Sequence, residues 1–85
     1  FDYDILTQTH ACIDNVETIL KASGSSIEDV VDITVFLVNM ERDFAGFNQV
    51  YAERLGHVRP TRTTLEVGAL PTPIAVELKV MAHTS

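Results

Sequence analysis

The spacing of apolar residues along the chain predicts two amphipathic helices. In the first, from residue 5 to about residue 23, apolar residues recur every three or four positions; they are Leu6, Ile13, Val16, Ile19 and Leu20. Asp4 is the predicted N-cap of this helix, and Gly24 follows its end. The second helix is predicted to begin with Asp43 as its cap and to end near Leu55. Its apolar side consists of Phe44, Phe47, Val50, Tyr51 and Leu55.

Three further segments predict β-strands. Residues 30–38 are rich in β-branched side chains and alternate in a way that favours a strand with both faces mostly covered. Two more strands are predicted at about 61–67 and 74–82, with Gly68, Pro71 and Pro73 marking the connection between them. The mixed order of helices and strands indicates one domain, residues 1–85, in which the helices pack on one face of a sheet.

Two charged residues stand out on the last two strands. Alternation predicts that Arg62 points outward on the polar face of its strand with Thr64 and Glu66, while Thr63, Leu65 and Val67 point the other way. Glu77 lies between two apolar residues of the final strand. A guanidinium can bind a carboxylate through two hydrogen bonds, and a carboxylate can handle water, so this pair suits chemistry on a small organic acid. The plainer alternatives are a solvated edge charge for Arg62 and a surface carboxylate for Glu77.

The relative position of these two residues depends on how the strands pair. If the strands form a simple hairpin about Leu70 and Pro71, Glu77 lies diagonally from Arg62, within reach of its side chain. If the strands are separated in the sheet, that proximity is lost. The flanking apolar residues also predict that Glu77 is at least partly buried.

Composition narrows the function classes. Hydrophobic residues make up 46% of this short chain, which predicts that some apolar surface closes a subunit interface. Twelve acidic residues against six basic ones give a net charge of −6, which argues against nucleic-acid binding through a broad basic surface. No apolar run approaches the length of a membrane span, and the single cysteine, Cys12, fits a reducing cytoplasm.

Metal and thiol chemistry are not predicted. The histidines, His10, His57 and His83, are scattered over a helix, a loop and a strand end, and no spacing resembles a ligand set. They are interpreted as surface or subunit-contact residues, and Cys12 as a small buried hydrophobe.

Taken together, the motifs resemble the Rid/YjgF family of enamine and imine deaminases over about residues 5–82. The matching landmarks, in order, are Gly24, Asp29-Val30-Val31, Thr34-Val35-Phe36-Leu37, Asp43-Phe44-Ala45, Asn48, Tyr51, Pro60-Thr61-Arg62, Glu66-Val67, Leu70-Pro71 and Val76-Glu77. Within the family, the segments 38–40, 62–64 and 77–80 look most like the 2-aminomuconate deaminase branch. Compared with that family, roughly the N-terminal third is missing, so the chain is interpreted as a fragment or a partly ordered chain.

The resemblance implies a fold, an assembly and a reaction. It implies a chorismate-mutase-like α+β domain that forms a homotrimer with a site in each cleft between subunits. It also implies cofactor-independent hydrolysis of an enamine or imine acid, in which Arg62 binds the carboxylate and Glu77 handles the attacking water. Thr64 stands where many members of the family have cysteine, which removes any role for a thiol there.

Two further residues are predicted to bind substrate. Asn48 lies three residues before Tyr51 on the second helix, so both could face the cleft; the alternative is that Asn48 packs at a subunit contact and Tyr51 in the core. Lys79 shares a strand face with Glu77 and is the candidate for a second carboxylate, unless it is a solvent-facing charge. At the level of function, the alternative is a non-catalytic family member that binds small carboxylates or partner proteins.

Overall fold

The computed structural model describes residues 4–58, 60–70 and 74–83. The chain forms helix α1, a short 3₁₀ turn, strand β1, helix α2 and strands β2 and β3. Their bounds are Ile5–Ala22 (α1), Ile27–Asp29 (the turn), Val30–Leu37 (β1), Met40–Leu55 (α2), Thr61–Glu66 (β2) and Val76–Ala82 (β3). The order of elements is therefore as predicted. Arg59, Pro71 and Pro73 lie outside the described residues.

The three strands form one sheet in the order β2-β1-β3. β1 pairs with β2 in parallel, as expected when a helix connects two neighbouring strands, and it pairs with β3 in antiparallel fashion. Because β1 lies between β2 and β3, the two last strands do not pair with each other. The hairpin that would bring Glu77 diagonally beside Arg62 is therefore wrong.

One face of the sheet and the inner faces of both helices form the core, which confirms the predicted α+β arrangement with the helices on one side. α1 packs against β3 and α2, while α2 also contacts β1. The core consists of Ile13, Val30, Ile33, Val35, Leu37, Phe47, Val50, Leu55 and Val76. No helix within the described stretches is long and apolar enough to cross a bilayer.

Helix α1 begins as the sequence predicts, although one residue of its apolar side is misplaced. The Asp4 carboxylate accepts a hydrogen bond from the Leu6 N–H at 3.0 Å, and a hydrogen bond from the Thr7 hydroxyl helps to lower the pKa of Asp4. Ile19, predicted to face the core, is 65% exposed. Thr9 is fully buried instead, because its hydroxyl donates to the Ile5 carbonyl at 2.7 Å and needs no outside partner.

Helix α2 begins earlier than predicted. Asn39 is the N-cap, and its side-chain oxygen accepts from the Arg42 N–H at 3.1 Å. Asp43, the predicted cap, lies one turn inside the helix and is only 2% exposed. The prediction failed because Asn and Asp are both good caps, and only the end of β1 decides which one starts the helix.

An ion-pair cluster joins the two helices on their outer side. Arg54 of α2 donates to Asp14 at 2.7 Å and also pairs with Glu17 of α1. Its other terminal nitrogen lies 2.9 Å from Nδ1 of His10. His10 is thus part of a contact between helices. No cluster of three or more potential metal ligands occurs within the described ranges.

Candidate functional site

Arg62 lies on the helix-facing side of the sheet, beside helix α2, so the prediction that this side of the strand points outward is wrong; Leu65, on the other side, is 46% exposed. Arg62 pairs in register with Ile33, which points into the core, so the arginine side chain extends from the same face. Its Nη1 donates to the side-chain oxygen of Asn48 at 2.6 Å. Its guanidinium carbon lies 4.8 Å from the centre of the Tyr51 ring. The structure thus brings together three residues that the sequence marked out.

Aromatic rings surround this guanidinium. Besides Tyr51, the rings of Phe44 and Phe47 lie 5.9 and 6.0 Å from it. At these distances a cation is attracted to the faces of the rings, which restricts the arginine without neutralising it. Among the residues that the structure describes, no carboxylate approaches Arg62 within ion-pair distance. The guanidinium is therefore exposed, fixed in position and able to bind an anion.

The environment of Tyr51 reflects this contact. Partial burial raises the pKa of the Tyr51 phenol, and the nearby positive charge of Arg62 opposes that rise. Tyr51 is therefore a neutral phenol near pH 7, and its ring serves as the surface on which the guanidinium rests.

Glu77 and Lys79 lie on the other face of the sheet. They pair with Phe36 and Thr34 of β1, whose side chains point away from the helices. This confirms that the two charged residues share a strand face. Both are exposed, so the expectation that Glu77 is partly buried is wrong. The error arose because its apolar neighbours, Val76 and Leu78, point into the opposite face.

Arg62 and Glu77 cannot meet in one copy of the chain. Their partners on β1, Ile33 and Phe36, are three residues apart, which corresponds to about 10 Å along the strand. Two strand spacings add about 10 Å across the sheet, and the side chains point to opposite faces. Within one chain the structure brings Asn48 to Arg62, but neither Glu77 nor Lys79.

Cys12 of helix α1 is half-buried and lies beside the start of strand β3. Its thiol lies 3.5 Å from the carbonyl oxygen of Val76. Burial raises the pKa of the thiol, and the negative charge of Glu77 raises it further. A thiol that is kept protonated is a poor nucleophile, in agreement with its interpretation as a small hydrophobe.

Thr64 carries a buried hydroxyl without a hydrogen-bond partner in the structure. It lies on the helix-facing side of β2, two residues beyond Arg62 and paired with the buried Val35. An unpaired buried hydroxyl costs about 1–3 kcal/mol of stability. Sequence alternation predicted that Thr64 shares a side with Arg62, but it placed that side outward, so the burial of the hydroxyl was not predicted.

Replacing Thr64 with valine is therefore expected to stabilise the fold by about 1 kcal/mol, because a methyl group needs no partner. For a domain of this size that corresponds to a rise in Tm of about 4–8 °C, measurable by thermal unfolding. Thr64→Ser is the control, since it keeps the hydroxyl and removes the methyl group, and it should lower Tm. A lower Tm for the valine variant would mean that the hydroxyl is paired.

Sequence reasoning missed one contact at this site. The side chain of Glu66 reaches the first residue of α2, where its Oε1 accepts from the Met40 N–H at 2.8 Å. Glu66 gives no sequence signal of this contact, because the sequence predicts that α2 begins at Asp43 and not at Met40.

Comparison with known proteins places the chain in a family. The sequence model described as Endoribonuclease L-PSP matches residues 1–84. A RutC family protein of Pyrococcus horikoshii is 41% identical over 80 residues, covering 94% of this chain and 63% of the relative. The yeast protein MMF1, named as mitochondrial, is 40% identical over 68 residues, covering 80% of this chain and 46% of the relative.

Solved structures agree with this assignment. The crystal structure of yeast Mmf1 matches all of this chain and 67% of its own with a TM-score of 0.93 at 33% identity. Escherichia coli TdcF with bound serine matches all of this chain and 68% of its own, with a TM-score of 0.89 at 31% identity. The chain thus spans less than two thirds of the sequence relatives named above, and it belongs to the Endoribonuclease L-PSP family, which includes the RutC and YjgF proteins.

Proposed function

We propose that the protein is a cofactor-independent hydrolase that deaminates an enamine or imine carboxylic acid and releases ammonia. The observation that carries this proposal is the exposed Arg62 guanidinium, held by Asn48 and Tyr51 without a carboxylate partner in the described part of the chain. Such a group suits the carboxylate of a small acid. The structural relative TdcF was solved with serine, which also carries a carboxylate.

The proposed reaction needs only these side chains and water. The enamine acid tautomerises to its imine, and Arg62 holds the carboxylate in a two-pronged contact. Water positioned by Glu77 adds to the carbon of the C=N bond, while the nitrogen takes up a proton. The hydroxyl proton of the carbinolamine then passes to the amino nitrogen by way of Glu77, the C–N bond breaks, and ammonia leaves as the hydroxyl becomes the carbonyl of a keto acid.

The separation of Arg62 and Glu77 within one chain supports a site between subunits. If both residues act on one substrate, the arginine of one copy must face the glutamate of another. A homotrimer with three such clefts meets this requirement, and each copy then supplies both halves of a site. The half-exposed sheet face that carries Glu77 also carries Met81, 62% exposed, and Leu65, 46% exposed, which suit a contact with another subunit.

A 2-aminomuconate-like dicarboxylate is the proposed substrate. Lys79 lies on the same face as Glu77, so both would enter a cleft from the same subunit, where the ammonium group of Lys79 would bind the second carboxylate. Asn48 acts through Arg62, since it fixes one edge of the guanidinium.

The proposed setting is a cytoplasmic protein with a small carboxylate as ligand, no cofactor and no nucleic-acid partner. Two names among the relatives bear on this setting. The yeast relative is described as mitochondrial, so the compartment of this chain stays a prediction. The family description includes a ribonuclease activity, so RNA must be included in any assay, although the net charge of −6 opposes phosphate binding. A non-catalytic carboxylate-binding protein is the second candidate, favoured because Glu77 does not lie on the Arg62 side of the same chain.

Ammonia release from freshly generated enamine acids tests the proposal. The full-length protein should accelerate release from 2-aminomuconate more than release from short iminopropionate or iminobutyrate. Carboxylate binding without any acceleration would support the non-catalytic candidate. Cleavage of RNA without ammonia release would contradict both.

A further inference from the structure

Glu66 joins the end of strand β2 to the beginning of helix α2. Its side-chain oxygen accepts the Met40 N–H at 2.8 Å, across 26 residues of sequence. Glu66 pairs in register with the buried Leu37, so it extends from the same face of β2 as Arg62. β2 thus meets α2 at two places, through Glu66 at the start of the helix and through Arg62 two turns later.

The contact suits a carboxylate. The first N–H groups of a helix have no partner within the helix, and the positive end of its dipole attracts a negative charge. A hydrogen bond with an ionised acceptor is stronger than one between neutral groups. Glu66 therefore ties a specific point of β2 to a specific point of α2.

This tie bears on the Arg62 site because both partners of the guanidinium belong to α2. Asn48 lies eight residues after Met40, about 12 Å along the helix axis. α2 also packs against α1 and β1, while Glu66 holds its first residue to β2, so loss of this hydrogen bond would let the start of the helix move relative to β2. Such a movement of the helix would shift Asn48 and the Tyr51 ring relative to Arg62, which belongs to β2.

We infer that Glu66 is a positioning residue for anion binding: it sets α2 against β2 and so orients the Arg62 guanidinium through Asn48 and Tyr51. The inference rests on the proposed function for its carboxylate ligand, but not for the geometry that it predicts. A merely structural helix cap would instead stabilise α2 without any effect on the site.

Asn39 provides the matched control. Its side chain also satisfies a first-turn N–H of α2, that of Arg42 at 3.1 Å. It belongs to the segment just before the helix, so this hydrogen bond does not connect α2 to β2. Loss of either cap is expected to destabilise the helix similarly, by the usual amount for an N-cap.

The experiment compares Glu66→Ala, Glu66→Gln and Asn39→Ala in the full-length protein. Binding of 2-oxobutyrate is measured by calorimetry, the contact between the Tyr51 ring and the Arg62 δ-methylene by nuclear Overhauser effects, and stability by Tm. Glu66→Ala should weaken binding about tenfold and reduce the Overhauser effect. Asn39→Ala should lower Tm by a similar amount and leave both other measurements near wild type. Glu66→Gln, which keeps the acceptor oxygen, should restore binding to within about threefold.

Three results would overturn the inference. These are unchanged binding in Glu66→Ala, an equal loss in Asn39→Ala, and failure of glutamine to restore the site. If the wild-type protein binds no 2-oxobutyrate, the proposed function fails for this ligand class. The Overhauser comparison then decides separately whether Glu66 sets the position of α2.

Discussion

Arg62→Lys is expected to lower kcat/KM for an enamine acid by about 30-fold or more, since breaking a hydrogen-bonded charge pair in a desolvated site costs about 2–5 kcal/mol. Lysine keeps the positive charge, but it cannot form two parallel hydrogen bonds with one carboxylate. It also loses the planar group that rests on the Tyr51 ring and the N–H that Asn48 accepts. The loss should therefore exceed what a small shift of a point charge would cause.

Lys79→Met is the companion variant in this measurement. Rates are compared on a monocarboxylate and a dicarboxylate enamine. The Arg62 variant should lose activity on both substrates, because both present a carboxylate beside the reacting carbon. The Lys79 variant should lose activity only on the dicarboxylate. Wild-type rates with Arg62→Lys would reject the assignment of the carboxylate site.

Glu77→Gln is expected to lower kcat about 10²-fold, the usual contribution of one positioned acid–base group. The amide keeps the shape of the side chain and loses the base. KM should change much less, since the carboxylate of the substrate is held by Arg62. Steady-state rates of ammonia release give both parameters, and near wild-type turnover would remove Glu77 from the mechanism.

Mixing the two inactive variants tests whether the site is shared. In a trimer whose clefts take Arg62 from one subunit and Glu77 from the next, random mixing of Arg62→Lys and Glu77→Gln chains leaves about one quarter of the clefts intact. Activity should therefore return after the variants are unfolded and refolded together. Variants refolded separately and then combined are the control. No recovery in the mixture would place both residues in the same subunit's site or outside it.

Local pattern predicted the elements of this fold well. The cap at Asp4 and the end of α1 depend on neighbours in sequence, and both agree with the structure. Alternation grouped Arg62 with Thr64 and Glu66 correctly, but it predicted that this side of β2 points outward, whereas the structure turns it towards the helices. Alternation also placed Glu77 and Lys79 on one face correctly. These features need only the periodicity of helices and strands.

Strand order could not be predicted in the same way. The insertion of β1 separates the strands of Arg62 and Glu77 by two strand spacings, and the register places their side chains on opposite faces of the sheet. Pairing across 30 to 50 residues is decided by packing, which no local pattern records. The candidate site was thus predicted as a set of residues and not as an arrangement.

Small irregularities escaped prediction for a similar reason. A register shift between β1 and β3 near Val30 and Asp32 leaves Val31 39% exposed, although simple alternation assigns it to the core. The choice of Asn39 as the N-cap of α2 depends on where β1 ends. Each of these backbone details depends on how two neighbouring elements pair or pack, so the pattern of a single segment does not predict it.

The position of β1 has a consequence for how such a protein can change over time. β2 and β3 are both joined to β1 and not to each other, so their outward residues can be replaced independently. Substitutions at sites this far apart have nearly additive effects on stability. Evolution could therefore change the exposed residues of β2 to bind a new acid while β3 stays unchanged. A library that randomises only these positions of β2 should contain many folded members.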